Sequence, residues 1–296
     1  MASVNDWLQS EAIRHAVALQ KYSNATVAKI IAVLNRADKR LFAELTERLQ
    51  HLDPASFNME RLENMLASVR GISAEAYTAL GRQLTEELRD FITYEVGYQG
   101  QMLLSALPVQ VSVASVSVEA VAAAAVSRPF QGVILREVWK DLEAGKMKAV
   151  RRAIAQGFVE SKTTDQIVRE LRGTNAKGYA DGLLQVTRRD AEAVVRTALG
   201  HVAGYAQDAV VEANADIVRA VRWSSTLDLR TSPGCRLRDG LLYAPVTHKP
   251  IGHAVPWLGG PGRLHWNCRS HQTTVLKSNA ELGIEGPNVV MQGPTR

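Results

Sequence analysis

Hydrophobic positions recur at intervals of three and four over much of the chain. Between about Asn24 and Leu52, Val27, Ile30, Ile31, Leu34, Leu41, Leu45 and Leu49 fall on one helical face. Asp53 and Pro54 should end that helix, because the residue before a proline is pushed out of the α region. A shorter helix is predicted near residues 59–69, and a long one from Ser73 towards Leu104 with Tyr77, Leu80, Leu84, Leu88 and Phe91 or Ile92 inward. These elements read as a helical hairpin or bundle. The period then changes. In "LPVQVSVASVSVEAV", Val109, Val111 and Val113 alternate with Gln110, Ser112 and Ala114, as in a strand with one buried face. Residues 108–127 are therefore expected to form an extended, Val-rich arm or linker, of a kind that can also add to a neighbouring chain's sheet edge.

After Pro129 the helical period returns. Ile134, Val138 and Leu142, then Val150 and Ile154, mark helix with a break near Gly145. Thr163 and Gln166 form a capping-box pattern, and Gly173 is a stop signal. The loop "GTNAKGYADG" follows no strand and lacks the Lys-Ser or Lys-Thr ending of a phosphate-binding loop, so it reads as a turn. A further helix, capped by Thr187 and Asp190, turns Ala191, Val194, Val195, Ala198, Val202, Tyr205, Ala209 and Val210 inward. From "IVRAVRWSSTLDLRTS" onward the pieces are short, β-prone and rich in turns, and residues 278–296 read as a loosely ordered tail. The fold class expected is mainly α, with long N-terminal and middle helices and a small α+β C-terminal module.

Composition adds limits. Of 296 residues, 46% are hydrophobic and 22% charged, as in ordinary globular proteins. No stretch approaches the roughly 18 uninterrupted apolar residues of a membrane span; "VEAVAAAAV" is too short and small-sided. The start, "MASVNDWLQSEAIRH", has neither the basic nor the apolar part of a secretory signal, which predicts a chain that stays in the cytoplasm with its cysteines reduced. Net charge is +5, but residues 219–296 carry 10 basic against 4 acidic groups. That excess fits sequence-independent contact with nucleic acid, with Arg236, Arg238 and Arg263 as the contacts, or with an acidic protein surface.

The candidate chemistry lies in the same quarter. Residues 225–271 hold both cysteines and four of the seven histidines. Cys235, His265 and Cys268 could supply three zinc ligands, with Asp228, His253 or His271 as a fourth, although a structural zinc site favours Cys-x-x-Cys knuckles on both sides. A metal-dependent nuclease or toxin-like enzyme is the rival reading of "HWNCRSH", but a ββα nuclease would spread those residues over separate elements. There is no Gly-x-Ser-x-Gly elbow. The reading favoured treats these side chains as internal fasteners: Asp228 and Arg230 share a face and can pair with each other, or with Arg269 or Asp239, through an Arg-carboxylate fork. On this reading the protein is not an enzyme and needs no cofactor.

The succession "AEAVVRTALGHVAGYAQ", "RWSSTLDLRTSPGCRLRDG" and "GRLHWNCRS" resembles the phage Mu F-like head morphogenesis family, minor head proteins of tailed phages. The family pattern falls on Arg196, Thr197, Trp223, Asp228, Arg230, Thr231, Cys235, Asp239, Gly240, His265, Cys268 and Arg269. The resemblance covers about residues 130–275, so the chain divides into a helical region (1–107), the arm, the Mu F-like domain (128–277) and the tail. Many relatives carry a second cysteine beside the first, end in Cys-Arg-Cys and have a proline after the histidine; here Arg236, Ser270 and Trp266 stand in those places. The resemblance implies a minor capsid protein in the virion, in the head interior or at the portal. It would act in head assembly and in DNA packaging or ejection, bound to portal or major capsid protein and touching packaged DNA without sequence preference. A homo-oligomer, formed through the long helices or the Val-rich arm, is expected.

Overall fold

The computed structural model describes residues 3–51, 58–107, 111–129, 132–177 and 179–285. Among them are seven α-helices: α1 (Val4–Gln50), α2 (Met59–Ala106), α3 (Val118–Ser127), α4 (Leu135–Val159), α5 (Thr164–Arg172), α6 (Leu183–Ala213) and α7 (Pro233–Arg238). Four short strands follow late in the chain: β1 (Val218–Ser224), β2 (Leu242–Tyr243), β3 (Pro250–Ile251) and β4 (His271–Leu276). The protein is mainly α with a small antiparallel C-terminal sheet. No helix among the described residues is long and apolar enough to cross a membrane.

Two compact units form, each from separated pieces of chain. One gathers Met1–Asn24, Glu87–Gly132 and Arg196–Arg296, and the other Ala25–Glu86 and Val133–Val195. The division expected in chain order, with a helical region ending at residue 107 and a domain starting at 128, is therefore not how the contacts are distributed. The long helices contribute to both units.

The second unit is entirely helical. Leu41, Leu45 and Leu49 of α1 pack with Leu62, Leu66 and Val69 of α2, Met147, Val150 and Ile154 of α4, Ile167 and Leu171 of α5, and Leu184 of α6. This burial explains where helices run further than their local signals. The two helices predicted over 59–69 and 73–104 are one, because Val69, Ser73 and Ala76 keep the inward register across Gly71. A glycine inside a helix costs about 1 kcal/mol, which one buried aliphatic side chain offsets. The break expected at Gly145 is absent for the same reason, with buried Lys146 and Met147 following it. Lys146 Nζ lies 2.8 Å from Asp38 Oδ1, so these two buried charges are paired, and the half-buried Arg188 shares the carboxylate with Nη2 3.0 Å from Asp38 Oδ2. Thr163 and Gln166 make both bonds of the capping box, and Gly173, at φ +88°, ends α5. By contrast, Thr187 and Asp190 do not cap α6, which begins a turn earlier so that Leu184 can join the core.

In the first unit β1 is central, in the order β3-β2-β1-β4, all antiparallel. Trp223 pairs with Gln272 and Val221 with Thr274 on one side, and Val221 with Tyr243 on the other. Leu8 of α1, Leu88, Phe91 and Leu103 of α2, and Val202 and Val210 of α6 are buried here. One buried polar cluster is tied together around Glu95: His15 Nε2 is 2.7 Å from Glu95 Oε2, while Gln99 and Gln207 donate to Glu95 Oε1 at 2.8 and 3.3 Å.

The Val-rich arm departs from expectation. Residues 108–110 lie outside the described residues, and 111–117 form neither helix nor strand and join no sheet. The side-chain amide of Asn214 instead does the work of a neighbouring strand, accepting from Ala114 N at 2.7 Å and donating to Ala114 O at 3.1 Å. Residues 118–127, read as extended, are helix α3, because Ser117 caps the run by accepting from Ala120 N and alanine then favours helix. Of the predicted loose tail, residues 278–285 form turns in which Ser278 N and Oγ donate to Glu281, and the remainder lies outside the described residues.

Candidate functional site

The site is framed by β1, the segment 225–240 and the loop 252–270, all laid against α6. Beyond Ser224 the chain turns on Asp228, whose N donates to Thr231 Oγ1 at 2.9 Å and whose Oδ1 accepts from Arg230 N at 2.9 Å. Ser232 then caps α7 by accepting from Cys235 N at 3.2 Å, with Pro233 at the first helical position. The short helix turns Cys235 and Arg238 inward. Its end returns to β1: Gly240, at φ +77°, donates to Trp223 O at 2.8 Å, and Asp239 Oδ1 accepts from Ser225 N at 2.7 Å.

Trp223 is fully buried, donates from Nε1 to Ser225 Oγ at 3.1 Å and meets Trp257 edge-on, which in turn meets Tyr243. The fasteners around this aromatic cluster are specific. Arg269 grips Asp228 with two bonds of 2.7 and 2.6 Å, and that fork, above all, holds the Asp228 carboxyl well below the usual carboxylate range. Arg230 is peripheral, 3.8 Å from Asp228 and exposed. Asp228 thus pairs across the fold rather than mainly with its near neighbour.

Helix α6 holds the other side. Thr197 Oγ1 accepts from Asn267 N at 2.8 Å, and Arg196 donates to Asn24 Oδ1 at 2.8 Å on the surface. At Gly200 the helix backbone comes so close to Gly262 that a Cβ on either residue would lie under 3.0 Å from the other's carbonyl oxygen. Asn267, at φ +57°, completes a tight turn in which Cys268 N donates to His265 O, and this turn brings His265 and Cys268 to the same side.

There they meet Cys235. Its Sγ lies 3.7 Å from Cys268 Sγ and 3.3 Å from His265 Nε2, and the three ligand atoms lie within 4.8 Å of one another. Both cysteines are free and buried. The contact with Cys268 pulls the Cys235 thiol down, and the same contact, with burial, pushes the Cys268 thiol up. Ser232 Oγ is 2.9 Å from His265 Nε2, and His265 Nδ1 is 2.8 Å from Trp266 O. The structure therefore brings together the three residues singled out as metal ligands. It places the suggested fourth ones elsewhere: Asp228 is taken by Arg269, and His253 is engaged at both nitrogens, by Leu242 O and Val255 N. His271 stands on β4, outside the cluster, with burial pushing its imidazole down to about 4.

Two of the three arginines expected to touch nucleic acid do other work. Arg238 is buried, donates to Pro256 O at 2.9 Å and Gly234 O at 2.7 Å, and lies over Trp223. Arg263 pairs with Asp208 at 2.6 Å and lies over Tyr205. Both guanidinium groups brace loops that have few aliphatic side chains. Arg236 is exposed and donates to Asp228 O at 2.8 Å. The roles of Ser232, Trp257, Asp208 and the Gly200–Gly262 contact were not singled out from sequence. Ser-Pro at 232–233 was a usable signal, since serine before proline is a helix start as well as a turn.

No curated protein and no solved structure matches the chain. A family model does, over residues 147–273, which begin in α4 and include every motif residue from Arg196 to Arg269. Its description is Phage Mu protein F like protein, and this stretch of the chain is accordingly a phage Mu F-like domain.

Proposed function

We propose that the protein is a minor head protein of a tailed phage, bound at the portal or inner head surface and acting in head assembly. The observation that carries this reading is the Mu F-like match, which covers the whole braced module. The use of its polar residues agrees with a docking role. Asp228 and Arg269, Thr197 and Asn267, and Arg238 with two carbonyls are spent on one another, as befits a rigid surface rather than a site that turns over a substrate. The C-terminal excess of basic groups would lie near packaged DNA, where contacts without sequence preference suffice. With Arg238 and Arg263 turned inward, such contact falls to exposed groups such as Arg236 and Arg230.

The test is quantitative mass spectrometry of purified heads, with and without the gene for this chain. A small, fixed number of copies per particle, and aberrant or poorly infectious heads when the chain is missing, is the expected result. Absence of the chain from purified heads that are otherwise complete would end the proposal.

A further inference from the structure

We infer that Cys235, His265 and Cys268 form a binding site for a single divalent zinc ion, with solvent completing the coordination on the Ser232 side. Two of the three ligand–ligand distances fit the ion's requirements as they stand, and all three ligand atoms lie within 4.8 Å of one another, so the third pair needs at most a small side-chain shift. Zinc sits about 2.3 Å from sulfur and about 2.0 Å from imidazole nitrogen in tetrahedral sites, so two bound sulfurs are separated by about 3.8 Å and a bound sulfur and nitrogen by about 3.5 Å. Here the two sulfurs are 3.7 Å apart, and Cys235 Sγ is 3.3 Å from His265 Nε2. A disulfide would instead require the sulfurs to close to about 2.05 Å.

The second observation concerns the imidazole. Its Nδ1 faces the Trp266 carbonyl at 2.8 Å, and a carbonyl only accepts, so the proton is on Nδ1 and the lone pair of Nε2 points into the cluster. A backbone acceptor on the remote nitrogen is the support that zinc-ligating histidines ordinarily have. The Ser232 hydroxyl, 2.9 Å from Nε2, donates to the same lone pair and would give way to the ion. The ligands come from two segments about thirty residues apart, α7 and the turn at 265–268, so the ion would tie these together as a clamp. Soft thiolates beside one imidazole select zinc over magnesium or calcium, which take oxygen ligands.

The experiment uses the full chain, reduced and stripped of metal. Zinc is titrated in, and cobalt in parallel as a spectroscopic probe. One equivalent per chain is expected, with thiolate-to-cobalt charge-transfer absorption and the intense visible bands of a tetrahedral ion. Both should vanish in the double variant Cys235→Ala, Cys268→Ala. Should that variant not fold, His265→Ala serves, because this residue is only partly buried; its zinc affinity should fall at least about tenfold and its cobalt spectrum should change. Failure of the reduced chain to take up zinc overturns the inference, as does an unchanged cobalt spectrum in either folded variant.

Discussion

Gly200 offers a test in which two effects of known size oppose each other. Alanine is better than glycine inside a helix by about 1 kcal/mol, so Gly200→Ala should stabilise α6 if propensity alone mattered. The new Cβ, however, would lie 2.9 Å from Gly262 O and 3.6 Å from Cys268 O. The obstructing atom belongs to backbone, and it cannot retreat freely, because the same loop is tied to α6 through the 2.8 Å bond from Asn267 N to Thr197 Oγ1. Overpacking of this sort costs about 1–3 kcal/mol, and the strained hydrogen bond adds about 1 kcal/mol, against which the propensity gain of about 1 kcal/mol is set. The net expectation is a loss of about 1–3 kcal/mol, read as a lower urea midpoint at unchanged slope. Gly97→Ala is the control, since Gly97 is exposed in α2 with nothing within 4 Å of its Cβ position, and it should gain up to about 1 kcal/mol. If Gly200→Ala matched or exceeded the wild type in stability while the control behaved as stated, the close approach of helix and loop would not exist as described.

Other outcomes follow from the same packing. His201 is buried, donates to Ala125 O at 3.3 Å, and burial above all pushes its imidazole down to about 4. The unfolded chain therefore takes up a proton below about pH 6.5 that the folded chain refuses. Stability is complete above that value and falls by about 2 kcal/mol on going to about pH 5, and His201→Asn should flatten this part of the denaturation-against-pH curve. Truncating the fully buried Trp223 to alanine should cost about 3–5 kcal/mol, seen by thermal or urea unfolding, with loss of the near-ultraviolet dichroism of the Trp223–Trp257 pair. Arg238→Lys should destabilise by about 1–3 kcal/mol, because an ammonium does not reproduce the fork to Pro256 O and Gly234 O. Arg236→Ala should leave the unfolding midpoint nearly unchanged while weakening salt-dependent retention on DNA, and equal retention by both proteins would remove Arg236 as a phosphate contact.

Much of the fold was legible because its signals are local. The face carrying Leu41, Leu45 and Leu49 follows from helical spacing, and the capping box at Thr163 and the stop at Gly173 act within one turn of the residues that encode them. Tertiary packing decided where such signals were overridden. Helix α2 continues through Gly71 because buried side chains on either side outweigh a penalty of about 1 kcal/mol, and that burial depends on neighbours remote in sequence. The valine alternation at 111–117 suggests a strand, but no strand forms there, and the backbone of Ala114 is met instead by the Asn214 amide from a hundred residues later.

At the site, the residue types and their grouping were evident, since the motif falls on consecutive short segments from Arg196 to Arg269. What sequence by itself determined was an inventory: helices with a defined apolar face, turns with the residues that form them, and a quarter of the chain holding arginine, cysteine and histidine in excess. Only the tertiary structure could assign partners. It turned Arg238 and Arg263 inward, gave Asp228 to Arg269 rather than Arg230, and set Cys235 against His265 and Cys268. The reason is that a charge or a thiol is specified by the atoms facing it, and those atoms come from chain segments whose approach no local pattern encodes.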